Sequence, residues 1–172
     1  MRRLLPAFAL ILAVSAAPVA RAGGEVVFDP AALEACWAEH ESARSCAGQG
    51  SGPCMEATPY GASNRGMTEC MAAELAWWRV LMARLLDDLR AAEAGFDAEP
   101  PGPDVHNPPS ARAGLERTHA LWEAWKAARC NYEVIELLGS TLLGPMSVGC
   151  RLELTHAQVD FLVSRLQGHA AR

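Results

Sequence analysis

Six cysteines, Cys36, Cys46, Cys54, Cys70, Cys130 and Cys150, are the residues of this chain whose type and number point most directly to chemistry. That chemistry is cross-linking, because an even cysteine count in a small chain reads as a disulfide framework wherever the compartment is oxidising. Zinc would want Cys-x2–4-Cys pairs or histidines at matching spacing. The two closest cysteines, Cys46 and Cys54, stand farther apart than that. A nucleophilic cysteine needs a free thiol beside a histidine base, and six paired cysteines leave none. No metal ligation, no thiol catalysis and no cofactor are therefore expected.

Other catalytic chemistry finds little support. His40, His106, His119, His156 and His169 are scattered among different segments, and no phosphate loop, Gly-x-Ser-x-Gly turn or His-Glu-x-x-His motif occurs. Glu116, Glu123, Glu133 and Glu136 read as the solvated edge of a helix, as do Asp87 and Asp88. Two carboxylates could meet in space to hydrolyse a glycan, but no pair is singled out. The five tryptophans are more informative. Trp78 and Trp125 fit buried helical seams, whereas Trp77 and Trp122 fall at seam edges, where half-exposed aromatic rings favour partner contact. A broad core that takes all five is the plainer alternative.

The elements that must position these residues are helical, with no convincing strand. Asp29-Pro30 starts a short helix that runs to about residue 43. Residues 47–66, rich in Gly, Ser and Pro, read as an irregular loop. A second helix over about 68–93 carries Met71, Leu75, Trp78, Met82, Leu85 and Leu89 on one seam and ends near Gly95. Residues 97–110 contain Pro100, Pro101, Pro103, Pro108 and Pro109 and form an extended connection. Ser110 caps a third helix with Leu121, Trp125, Ala128, Tyr132 and Ile135 as its seam, stopped by Gly139. A fourth helix presents Leu152, Thr155, Val159, Leu162 and Leu166. The expected fold is all-α, a small antiparallel helical bundle with disulfide-linked loops. A Cys130–Cys150 bridge would close the last hairpin, at about 3 kcal/mol in the chain-entropy view. Cys46–Cys54 would close the glycine-rich loop and Cys36–Cys70 would tie the first helix to the second, although six cysteines leave many other connectivities open.

The ends and the charge set the compartment and the partner class. Arg2 and Arg3, the apolar run from Leu4 to Val14 and the small residues of Ala20-Arg21-Ala22 form an export signal over 1–22. One domain over 23–172 is expected to remain, without a membrane anchor, in the periplasm or secreted. Losing Arg2, Arg3 and Arg21, and no acid, takes the formal charge from −5 to −8. An acidic surface disfavours nucleic acid and suits a cationic partner.

Several segments in order then resemble one family. They are Met67-Thr-Glu-Cys70 leading into Glu74-Leu-Ala-Trp-Trp78, Trp122-Glu-Ala-Trp-Lys-Ala-Ala-Arg-Cys130, Gly139-Ser140, and Cys150-Arg-Leu-Glu-Leu-Thr155. From Cys36 to about Leu166 the chain resembles the LprI-like lysozyme inhibitors, small exported bacterial proteins. The resemblance implies a non-enzymatic protein that binds and inhibits lysozyme, a cationic glycan hydrolase. The chain departs from the family's usual polar residues at Arg79, Ala83, Leu86, Lys126, Ala127 and Gln158. Candidate contacts with the hydrolase are Asp97, Glu99, Asp104 and His106 of the proline-rich connection, with Trp77 and Trp122 as aromatic anchors. The alternative is a structural or stress-related envelope protein without lysozyme activity; an enzyme acting on wall glycan ranks third.

Overall fold

A computed structural model describes residues 24–172. The expected export signal over 1–22 and the start at Gly23 lie outside the described residues. Five α-helices follow in order: α1 Ala31–His40, α2 Ser51–Ala57, α3 Asn64–Ala98, α4 Ala111–Glu133 and α5 Leu143–Ala170, with a short 3-10 turn Ile135–Leu137 between the last two. Among the described residues there is no strand, and no helix is long and apolar enough to cross a membrane.

α3 is the spine. Ser63 caps it by accepting from the Gly66 N–H, and Cys70, Glu74, Leu75, Trp78, Met82, Leu86, Leu89 and Glu93 form its buried stripe. The helix runs through Gly95, where it was expected to stop, and ends only at Glu99. That residue precedes Pro100 and takes the extended backbone (φ −71°, ψ 141°) that a following proline ring imposes.

Contacts between helices fix their directions. Asn64 bonds Thr141 at one end of α3, and Arg165 of α5 reaches Glu93 near the other, so α3 and α5 lie side by side in the same sense. Arg90 pairs with Glu116 and Cys130 with Cys150, so α4 runs opposite to both. α1 and the turn after it close over this set. Leu33, Ala43 and Cys46 join the core formed by Leu75, Trp78, Met82, Leu86, Leu89, Leu152, Val159 and Leu162.

Two expectations from the sequence are corrected. The segment 47–66 is not wholly irregular, because α2 lies within it. Nor is it closed by Cys46–Cys54: Cys46 pairs back to Cys36, and Cys54 pairs forward to Cys70, in place of the expected Cys36–Cys70 bridge. Glu41, left-handed at φ 46°, ends α1 and turns the chain back, which brings Cys46 to Cys36. α2 packs on α3 and carries Cys54 to Cys70. The turn joining them is tight, since a Cβ at Gly61 would overlap the Met55 carbonyl. The Cys130–Cys150 bridge is present as expected.

A third correction concerns α4. Its expected seam faces outward: Leu121, Trp125, Tyr132 and Ile135 are 65%, 49%, 76% and 57% exposed. The inward face carries Leu115, Trp122, Lys126 and Cys130 instead. Cys130 is fully buried at its bridge, and this fixes the rotation of the helix about its axis. Lys126, one turn before it, is thereby carried inward. Its ammonium pairs with Glu123 at 2.9 Å and lies 4.0 Å from the centre of the Trp122 ring.

Candidate functional site

The proline-rich connection leaves α3 at Glu99 and re-enters helix at Ala111, and one side chain holds its two ends together. The Asp97 carboxylate accepts from the Ser110 hydroxyl at 2.6 Å and from the N–H groups of Ala111 and Arg112 at 2.7 and 3.2 Å. Ser110 accepts in turn from Ala113 N–H. These donors are the unpaired N–H groups of a helix start, where a carboxylate is favoured. The Ser110 hydroxyl, then the backbone N–H groups, hold the Asp97 pKa below the usual carboxylate range. Within the closed loop, Phe96, Pro100, Pro101, Val105, Pro108 and Pro109 line an open cavity of about 340 Å³. Glu99 also lines it, and Asp104 and His106 stand exposed in the same loop.

A second carboxylate, deep in the fold, holds the other loop. Glu74 is fully buried and accepts from Gly48 N–H at 3.0 Å, Gly50 N–H at 3.2 Å, Ser51 N–H at 2.7 Å and the Trp78 indole N–H at 3.2 Å. His156 of α5 lies 3.6 Å away, too far for a hydrogen bond. Burial alone would raise the pKa of Glu74, but His156 and the donors of the 48–51 loop more than offset it and hold it at about 2. Trp78, also fully buried, has Trp37, Trp77 and His156 edge-on to it at 4.8–5.7 Å. The sequence reading missed Glu74 as an anchor. Its one signal was an acid placed inside an otherwise apolar stripe of α3.

The candidate contacts therefore do not share one surface. Asp97 is committed to the loop it closes, and Glu99, Asp104 and His106 lie with it. Trp77 lies twenty residues back along α3, about 30 Å at the helical rise, half-buried against Trp78. Trp122 is likewise half-buried, stacked on His119 at 5.7 Å. Trp125, expected inside, is exposed.

The described carboxylates displaced from their usual range are all held down: Glu69 by Tyr60 and Arg65, Glu116 by Arg90, Asp97 as above. In Glu74 and Glu93 burial opposes the lowering, and neighbouring donors prevail. No group of acids, histidines and cysteines among the described residues could hold a metal ion.

An all-α domain with three disulfides, built on a long central helix and closed by two carboxylate-held loops, defines the class of protein. The pattern of the family described as lysozyme inhibitor LprI matches residues 54–162, from the cysteine of α2 to the last core leucine of α5, and the chain belongs to that family. No curated protein and no solved structure matches the chain. The positions at which the chain departs from the family's usual residues divide by burial. Leu86, Lys126 and Gln158 are inside, and Arg79, Ala83 and Ala127 are on the surface.

Proposed function

We propose that this protein is exported, matures at Gly23, and acts outside the cytoplasm as a non-enzymatic inhibitor of a lysozyme-type wall hydrolase. Membership of the lysozyme inhibitor LprI family supports the partner class. Three disulfides support an oxidising compartment. The observation that carries the mode of binding is the closed proline-rich loop. Its ends are held by Asp97, its backbone is stiffened by five prolines, and Glu99, Asp104 and His106 project from it. A loop already ordered loses little entropy when it enters a cleft, and its acids suit a cationic hydrolase. Trp77 and Trp122 lie too far along their helices to join that contact, and act instead as packing residues.

The test is clearing of a bacterial cell-wall suspension by lysozyme, titrated with the chain from residue 23 purified from an oxidising compartment. Saturable inhibition that weakens with added salt, and that Glu99→Lys with Asp104→Lys abolishes, is the expected result. Inhibition unchanged by deletion of residues 98–107 would remove the loop from the mechanism. No inhibition from folded, thiol-free protein would favour an envelope interaction protein that does not touch lysozyme.

A further inference from the structure

The cavity closed off by the proline-rich loop has two kinds of wall. Pro100, Pro101, Val105 and the Phe96 ring make much of it apolar, and Asp97 and Glu99 add two carboxylates. The two acids differ in what they have left to give. Asp97 already accepts from Ser110, Ala111 and Arg112, which holds the loop closed. The Glu99 carboxylate takes part in no ion pair among the described residues, since Arg165 and His169 pair with Glu93 instead.

A neighbouring cavity shows what these walls accept. Phe96 and Glu99 line it as well, together with His169 and Arg172, and the Arg172 guanidinium carbon lies 4.9 Å from the centre of the Phe96 ring. A guanidinium is planar and weakly hydrated for a cation, so it stacks on an aromatic face more readily than an ammonium does. Its aliphatic stem runs along apolar surface while the charged head stays with a partner. An apolar hollow with one uncommitted carboxylate in its wall matches that division. A wholly apolar ligand would take water from Glu99 and replace it with nothing, and an anion would meet two carboxylates. At about 340 Å³ the space lies at the small end of ligand sites, with room for one long side chain. The Asp97 strap forms the hollow in advance, which lowers the entropy cost of filling it.

We infer that the proline-loop cavity is a receptor for a single arginine side chain, its guanidinium held by Phe96 and Glu99 and its stem against Pro100, Pro101 and Val105. In taking the hydrolase as the source of that arginine, the inference rests on the proposed inhibition; the site itself does not.

Nuclear magnetic resonance titration of the chain from residue 23 with N-acetyl-arginine methylamide tests the site with no lysozyme present. Shifts at Phe96 and Val105 are expected, with dissociation in about the millimolar range, as suits so small a ligand. The citrulline analogue keeps the shape and lacks the charge, and should bind about fivefold more weakly. Glu99→Gln should erase that preference, and Phe96→Leu should weaken arginine binding about threefold. Both residues are exposed, and helical circular dichroism confirms that the variants are folded. Equal binding of the two analogues, shifts confined to other surfaces, or a preference that Glu99→Gln leaves intact overturns the proposal. The clearing assay then separates the two readings. Arginine binding without lysozyme inhibition keeps the site and removes the hydrolase as its partner, whereas inhibition without arginine binding overturns the site and keeps the inhibitor.

Discussion

The loop over 46–51 and the loop over 99–110 are held by the same device in opposite surroundings. Each is gathered by one carboxylate accepting several donors: Glu74 takes Gly48, Gly50 and Ser51, and Asp97 takes Ser110, Ala111 and Arg112. Glu74 is sealed under α5 and beside Trp78, whereas Asp97 stands in solvent. Water can replace any donor that Asp97 loses, whereas the Gly50, Ser51 and Trp78 donors of Glu74 are buried away from it. One hydrogen-bonding pattern can therefore anchor a core in one place and shape a surface loop in another, and desolvation decides which.

The sharpest way to break this comparison is to remove Glu74. Glu74→Ala leaves three backbone N–H groups and an indole N–H without their acceptor, and should cost about 4 kcal/mol in urea unfolding. A loss near that of an exposed helix cap would show that water already reaches the site.

Acid should act on the same group. Its pKa is depressed from 4.5 to about 2, so its contribution is complete above the unfolded value and is lost as pH falls from about 5 toward 2. Unfolding free energy should drop by about 3 kcal/mol across that window. Glu93, also held down against its burial by His169 and Arg165, adds in the same direction. Glu74→Gln should flatten the profile, and an unchanged slope would assign the acid sensitivity elsewhere.

At the other loop the expected effects shrink. Ser110→Ala removes the cap of α4 and should cost about 1 kcal/mol by thermal unfolding. Asp97→Asn should barely move the unfolding midpoint while speeding amide hydrogen exchange at Ala111 and Arg112. A large fall in stability from Asp97→Asn would mean that the exposed loop is bound to the core cooperatively, and the contrast would fail.

Much of the fold was legible because it depends on local pattern. The spacing of Leu75, Trp78, Met82 and Leu89 names the buried face of α3, and Ser110 and the prolines before it mark where α4 starts. The stop expected at Gly95 failed because a helical glycine in open space does not end a helix, whereas the residue before Pro100 must leave it. The seam of α4 misled for another reason. Two faces of that helix carry apolar residues, and periodicity alone has no means of choosing between them. The candidate site was half legible: Glu99 and Asp104 lie in the exposed connection, but Asp97 stands in the last turn of α3, and its use as an internal strap depends on Ser110 folding back onto it.

The sequence by itself determined the all-helical class, the family, the six-cysteine framework and the final Cys130–Cys150 hairpin. Each follows from composition, from spacing within one element, or from a short closure between neighbouring elements. Tertiary structure alone decided the pairing of the first four cysteines, the burial of Glu74 beneath the 46–51 loop, and which apolar stripe of α4 faces out. Each of these depends on how one element is turned against another. That rotation is set by a few long-range links, such as a disulfide, a buried carboxylate or a left-handed residue at Glu41, whose partners lie far apart in the chain.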